Sequence, residues 1–205
     1  VLFVDDRGEV IDGDQVLYLL ALSAQAEQEL NGGVIGTLMT NLALELALEK
    51  HAIPFERAAV GDRFVLEKLQ QNNWWLGGET SGHIICLDKN TTGDGIVAAL
   101  QVMRVMQKQQ RSLRELIHEL VLFPQTMINV RVKRGSGRQI VNDQRVCTAV
   151  EQAEAQMGRA GRVVLRPSGT EPLVRVMVEG EQKQQVEQIS RDLAEVVETA
   201  SSVLN

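Results

Sequence analysis

The feature that most constrains this chain's fold is the alternation of short apolar runs with amphipathic stretches. Val34–Met39 and Phe55–Val60 read as strands, and each is followed at once by a helical pattern, Asn41–His51 and Asp62–Gln71. Such alternation predicts a mostly parallel sheet covered by helices on both faces, because each crossover helix must bury its apolar stripe against the sheet it connects. Ligands in these sheets bind beyond the carboxyl ends of the strands. Upstream, Val1–Val4 and Glu9–Ile11 predict two short strands turning at Asp6-Arg7-Gly8. Asp12 and Asp14 supply capping chemistry for a helix running to about Leu30, where Asn31-Gly32-Gly33 would end it. Val16, Leu19, Leu20 and Ser23 recur along that helix at helical spacing.

Downstream, Trp74–Leu76 and Ile84–Leu87 predict strands on either side of a polar loop. Asp94 opens a helix to about Gln110, with Ile96, Ala99, Leu100, Met103 and Met106 on its apolar side. Ser112-Leu113-Arg114-Glu115 fits a capping box and starts a further helix to about Leu120. After Phe123-Pro124 the pattern changes: a strand over Met127–Val132, a flexible turn at Gly135-Ser136-Gly137, a helix over Asp143–Met157, two strands, and a helix from about Gln182 to Val197. The expected fold class is α/β, a mixed, mostly parallel sheet domain flanked by helices, followed by a smaller α+β C-terminal domain.

The bulk properties remove several function classes. At 205 residues the chain suffices for one large domain or two small ones. A hydrophobic share of 44% suits a globular protein, and with 3% aromatics its cores must be aliphatic. The net charge of −6 argues against a nucleic-acid partner, whose binding surface would be basic. No apolar run approaches the ~20 residues that span a bilayer, and no signal peptide is visible, so no membrane partner is expected. Cys86 and Cys147 read as two buried thiols rather than a disulfide, which fits a reducing, cytoplasmic location. Neither belongs to a set of metal ligands. The chain opens on Val1 with no Met, already in a strand that needs a pairing partner, so it is expected to be the C-terminal part of something longer.

Two segments carry chemistry. Arg166-Pro167-Ser168-Gly169-Thr170-Glu171-Pro172, with Arg175 beyond it, joins two apolar strand-like runs. Arginine offers a planar, permanently charged fork that matches phosphate oxygens, Ser168 and Thr170 add hydroxyl donors, and backbone N–H groups around Gly169 can form an anion-binding concavity. An ordinary hairpin turn uses the same Pro, Ser and Gly, but it needs neither Thr170 nor two arginines. The second segment, Gly77-Gly78-Glu79-Thr80-Ser81-Gly82-His83, sets a carboxylate, two hydroxyls and an imidazole on one loop. Glu79 can accept from adjacent sugar hydroxyls or an amine, Ser81 can donate and accept, and His83 titrates near neutrality. A turn or helix-capping cluster is the plainer reading of these residues. Gly61-Asp62-Arg63 and Lys89-Asn90-Thr91-Thr92-Gly93-Asp94-Gly95 could line the same cleft, with Asp62 and Asp94 as helix caps and Arg63 reaching a phosphate or carboxylate.

In order and spacing, Val10-Ile11-Asp12-Gly13-Asp14, Gly36-Thr37-Leu38-Met39-Thr40-Asn41, Val60-Gly61-Asp62-Arg63, Gly78-Glu79-Thr80-Ser81-Gly82-His83, Thr91-Thr92-Gly93-Asp94-Gly95 and Arg166–Pro172 match a known pattern. On these segments the chain resembles the C-terminal half of the α-D-phosphohexomutase superfamily, and in particular its bacterial phosphoglucosamine mutase branch. The resemblance implies a four-domain enzyme in which residues 1–30 end the second domain, about 31–121 form the third and about 122–205 the fourth. It implies interconversion of glucosamine 6-phosphate and glucosamine 1-phosphate, toward UDP-N-acetylglucosamine and cell-wall precursors. An active-site phosphoserine, a bisphosphorylated intermediate and Mg2+ would take part. Carried over residue by residue, Glu79 and Ser81 match the sugar-binding loop and His83 a residue near the reacting hydroxyl with an acid–base role. Arg166, Ser168, Gly169, Thr170 and Arg175 match the loop holding the non-reacting phosphate. Thr80 stands where many relatives carry Asn.

The family's phosphoserine loop and its Asp-rich metal loop are not in this sequence, so the chain alone is expected to lack mutase activity. A homodimer of the full-length form is left open. The competing readings are a phosphomannomutase or phosphoglucomutase using the same loops on a neutral sugar, and a non-catalytic sugar-phosphate binding module.

Overall fold

A computed structural model describes residues 1–203 of the chain. Its internal contacts divide it into two units, Val1–Leu122 and the part from Phe123 onward.

The first unit begins with a small antiparallel hairpin, β1 (Phe3–Val4) and β2 (Val10–Ile11), with Phe3 opposite Ile11. Helix α1 (Gly13–Ala26) follows, started by a capping box in which Asp12 accepts from the Gln15 N–H and the Gln15 side chain accepts from the Asp12 N–H. Val16, Leu19, Leu20 and Ser23, spaced to share a face, are all buried, as their periodicity predicts. The helix stops four residues short of Leu30. Gln28 turns into the left-handed region (φ 58°), and the Glu29 and Leu30 N–H groups both bond back to the Ala24 carbonyl. Local wrapping ends this helix before the downstream glycines are reached.

The main sheet contains β3 (Val34–Thr37), β4 (Phe55–Ala58), β5 (Leu76–Gly78) and β6 (Ile84–Cys86), in the order β4-β3-β5-β6. β3 pairs in parallel with both β4 and β5, and β6 closes the edge antiparallel to β5. Helices α2 (Leu42–Lys50) and α3 (Asp62–Asn72) make the crossovers. Ile35 packs with Val65, Leu69 and Ile85 under α3. Its neighbour Val34 points to the opposite face of the sheet. Leu17, Leu44, Leu48 and Leu69 are fully buried, each worth about 1.5–3 kcal/mol of apolar transfer.

Three sequence expectations shift here. β5 begins at Leu76 rather than Trp74, because the Trp74 N–H is taken by the Leu69 carbonyl where Asn73, left-handed at φ 54°, ends α3. The cap of α3 is Gly61, and Asp62 is the first helical residue. Helix α4 (Gly95–Gln109), capped by Asp94 as expected, buries Ala98, Val102 and Val105. Ile96, Leu100 and Met103 are 75%, 54% and 51% exposed. Both faces of α4 are apolar at helical spacing, so periodicity alone does not choose between them. The short helix α5 (Leu113–Ile117) carries the expected Ser112–Glu115 capping box. Its Arg114 binds Asp5 at 2.5 Å and Glu9 at 2.7 Å, fastening the hairpin.

The second unit is an antiparallel sheet of β7 (Gln125–Arg131), β8 (Gly161–Pro167) and β9 (Leu173–Gly180), ordered β7-β9-β8. Helices α7 (Gln144–Met157) and α8 (Lys183–Val203) pack on the sheet. Val174, Val176 and Val178 of the central strand meet Val146, Ile189, Leu193 and Val197 in the core. A short helix α6 (Gly137–Val141) lies where the glycines predicted a turn alone. α8 runs six residues beyond its expected end, since buried Ala200 and Ser201 keep its apolar stripe going.

Candidate functional site

Within the first unit, the loop 79–83 joins β5 to β6. It is closed internally by the Glu79 N–H donating to the His83 carbonyl (3.1 Å) and the Gly82 N–H to the Glu79 carbonyl (2.9 Å). Glu79 is half-buried and Ser81 exposed. One oxygen of the Glu79 carboxylate accepts from the Gly61 backbone N–H at 3.0 Å, which orients it and leaves its other oxygen available to hydroxyls or an amine. Gly61 stands just after β4, so the loops following two strands of the sheet converge on this carboxylate.

The His83 ring, 40% exposed, lies with Nε2 3.7 Å from Asp62 Oδ2. It rests on Gly93, where an added Cβ would meet Nε2 at 2.1 Å. Displacing Asp62 from the cap position therefore has a consequence: its carboxylate is near an imidazole with which it can pair once that ring is protonated. Asp94 accepts from the Ile96 and Val97 N–H groups and from the Asn90 amide, holding the loop beneath the ring. Arg63 is turned elsewhere: its Nε donates to Glu67 at 2.8 Å and its side chain is 79% exposed. The structure thus brings together Glu79, Ser81 and His83 on one loop and leaves Arg63 on its own helix.

In the second unit, Arg166 and Arg175 are direct cross-strand partners on β8 and β9. Like charges opposite one another in a sheet are destabilising. Burial first, and then the neighbouring Arg175 charge, pull the Arg166 guanidinium below its ordinary pKa. The Arg175 Nε is solvent-inaccessible and has no hydrogen-bond partner. Its guanidinium lies 3.7 Å from the Glu171 carboxylate. Guanidinium groups set opposite one another in this way have the chemistry to share an anion.

The loop itself is closed by three internal hydrogen bonds. The Ser168 N–H donates to the Leu173 carbonyl (2.8 Å), the Glu171 N–H to the Ser168 hydroxyl (3.3 Å) and the Leu173 N–H to the Glu171 carbonyl (2.8 Å). Gly169 and Thr170 are exposed at the tip. A Cβ on Gly169 would meet nothing within 4 Å, so the fold itself makes no demand for glycine there. Beside the loop is a concavity of about 350 Å³, lined in part by Ser168, Gly169, Lys133 and Arg138.

Several supporting contacts carry no signal in the sequence. Asp14 holds the 79–83 loop from 66 residues away, Gly93 supports His83, and Asn129 of β7 stands opposite Arg175. No local pattern signals contacts of such separation. Among the described residues no group of three or more His, Cys, Asp or Glu side chains could hold a metal ion. Asp5 is committed to Arg114, with Asp6 at 3.9 Å from the same guanidinium. No helix among the described residues is long and apolar enough to cross a membrane.

The parallel-sheet unit with a polar loop at its strand ends, followed by an antiparallel unit with a guanidinium pair, defines a class. The chain belongs to the phosphoglucomutase/phosphomannomutase family: residues 12–122 match the model of its alpha/beta/alpha domain III, and residues 127–196 match that of its C-terminal domain. More particularly, it is 54% identical over 202 residues to a phosphoglucosamine mutase of Thioalkalivibrio sulfidiphilus, covering 98% of this chain and 45% of that protein. A phosphoglucosamine mutase of Klebsiella pneumoniae is 50% identical, covering 97% of this chain and 44% of that one. The chain therefore spans about half the length of the curated relatives it matches. Among solved structures, a Burkholderia thailandensis protein of the phosphoglucomutase/phosphomannomutase family superposes with a TM-score of 0.79 at 18% identity, over 97% of this chain and 44% of that one. An Aspergillus fumigatus N-acetylphosphoglucosamine mutase, solved in complex with GlcNAc-6P and magnesium, superposes with a TM-score of 0.76 at 20% identity, over 98% and 46%.

Proposed function

We propose that this chain is the substrate-binding half of a phosphoglucosamine mutase, interconverting glucosamine 6-phosphate and glucosamine 1-phosphate. The observation that carries the proposal is the Arg166–Arg175 cross-strand pair, with its unmatched Arg175 Nε, on the two strands that the Ser168-Gly169-Thr170 loop joins. In this reading the five residues bind the phosphate that is not reacting. Glu79 and Ser81 hold the sugar hydroxyls or the amine. His83, with Asp62 3.7 Å away, takes and returns the proton of the reacting hydroxyl.

A phosphoserine contributed from outside this sequence gives its phosphoryl group to the free sugar hydroxyl. The bisphosphate turns over, and its other phosphoryl group returns to the serine. Fixing the distal phosphate orients the sugar for each transfer, which converts remote binding into a lower barrier. Magnesium would be held by that same outside part and would offset phosphoryl charge. Arg63, once released from Glu67, can reach a phosphate. Relatives bearing this activity at 50–54% identity support an amino sugar over a neutral one. A cytoplasmic setting accords with the free thiols of Cys86 and Cys147.

The test is a coupled assay of the full-length protein that carries this chain, with glucosamine 6-phosphate against glucose 6-phosphate. A kcat/KM that favours the neutral sugar would overturn the substrate assignment, and no turnover of either would overturn the mutase.

A further inference from the structure

The structure assigns to Asp14 a role as the positioning residue of the sugar loop, acting through Thr80; this rests on the reading of the Glu79–Ser81 loop as sugar-binding. Asp14 lies in the first turn of α1 and is completely buried. A carboxylate so placed must be matched by donors. Its two oxygens receive the Thr80 hydroxyl at 3.1 and 3.0 Å, and Oδ2 also accepts the Asn41 backbone N–H at 2.8 Å. One side chain therefore ties the loop after β3 to the loop between β5 and β6.

Thr80 is held at its backbone as well. The Gly13 N–H donates to the Thr80 carbonyl at 2.9 Å. The approach is so close that a Cβ on Gly13 would lie 2.0 Å from the Glu79 carbonyl oxygen and 2.8 Å from the Gly82 nitrogen. The first turn of α1 is thus a plate against which residues 79–82 are pressed. Thr80 sits between the two proposed sugar contacts, and its hydroxyl points down to Asp14. That hydroxyl also lies 3.5 Å from the Met39 carbonyl. The effect of Thr80 is to set where Glu79 and Ser81 stand, while Gly61 fixes the Glu79 carboxylate from the other side. A loop that moved by an ångström would misplace the sugar hydroxyls it holds.

The experiment uses the full-length protein with Asp14→Asn, Thr80→Val and Thr80→Ser, the last as the conservative rescue. We expect Asp14→Asn and Thr80→Val to lower kcat/KM for glucosamine 6-phosphate by roughly 10- to 100-fold, the scale of a small misplacement, and Thr80→Ser to stay close to the parent. Amide exchange should quicken at Gly61 and Gly82, whose N–H groups bond to Glu79, and stay unchanged at Val16–Ala21 within α1. Parent-like kinetics and exchange in Thr80→Val would overturn the assignment. So would faster exchange throughout α1, which would mark a merely structural role. If Asp14→Asn does not fold, Thr80→Val tests the same contact with a side chain of nearly equal shape. An inactive parent whose 61 and 82 amides still quicken in Thr80→Val would refute the mutase reading while upholding the positioning role.

Discussion

In the proposed reading, Arg175 is a residue that opposes folding and serves binding. It faces Arg166 across the strand pair, with its Nε unmatched. Arg175→Ala should therefore leave the melting temperature unchanged or raise it, while weakening phosphate or sugar-phosphate binding by about 1–3 kcal/mol for a lost charged hydrogen bond. Calorimetric titration and thermal melting, run together, check both. Gly169→Ala should behave alike for a different reason: the fold leaves room for the methyl group, but a ligand drawn close to that backbone would not. Cys86 is the opposite case, a residue absorbed by the core. Burial pushes its thiol up to about 11. The unfolded thiol loses its proton near 8.5, so between roughly pH 9 and 11 the unfolded state binds fewer protons and stability falls as pH rises. Iodoacetamide at pH 8 should label Cys147, which is half-buried, well before Cys86. The chemistry-bearing types at 79–83 and 166–175 are legible in the sequence because each set lies within a few consecutive residues. Their orienting partners are not, because an N–H from Gly61 or a carboxylate from Asp14 carries no local signature.

Among the elements, α4 separates pattern from packing. It offers an Ile96-Leu100-Met103 stripe and an Ala98-Val102-Val105 stripe, both at helical spacing, and buries the second. In this chain Leu100→Gln should change stability by no more than about 0.5 kcal/mol. Val102→Ala, which leaves a cavity in a fully buried position, should cost about 1–3 kcal/mol. Urea melts of the two variants read the difference directly. Asp94→Ala should cost about 0.5–2 kcal/mol through the lost cap. Element type was legible throughout the first unit because capping residues and apolar spacing are local. The C-terminal end of α1 and the start of β5 were not, because left-handed Gln28 and Asn73 have no obligatory sequence signal. The two residues adopt that conformation because the chain must turn there to reach its next partner.

The molecule as a whole carries a charge of −6, yet two arginines, Arg166 and Arg175, stand opposite one another in its second unit. That unit has its own core of Val174, Val176 and Val178 against α7 and α8. Residues 123–205 made alone should therefore unfold in a single cooperative step, and inorganic phosphate should raise its melting temperature by mass action. The same phosphate should have no effect on an Arg175→Ala version, and a shift there would place the anion elsewhere. By itself the sequence determined the class of each layer, the parallel crossovers and the two polar loops, because propensity, capping and side-chain chemistry act over a few residues. Only the tertiary structure decided which face of α4 is buried, that Asp62 stands beside His83, and that Asp14 lies beneath Thr80. Those choices come from contacts between residues far apart in the chain, where burial and unmatched donors are settled by the whole core at once.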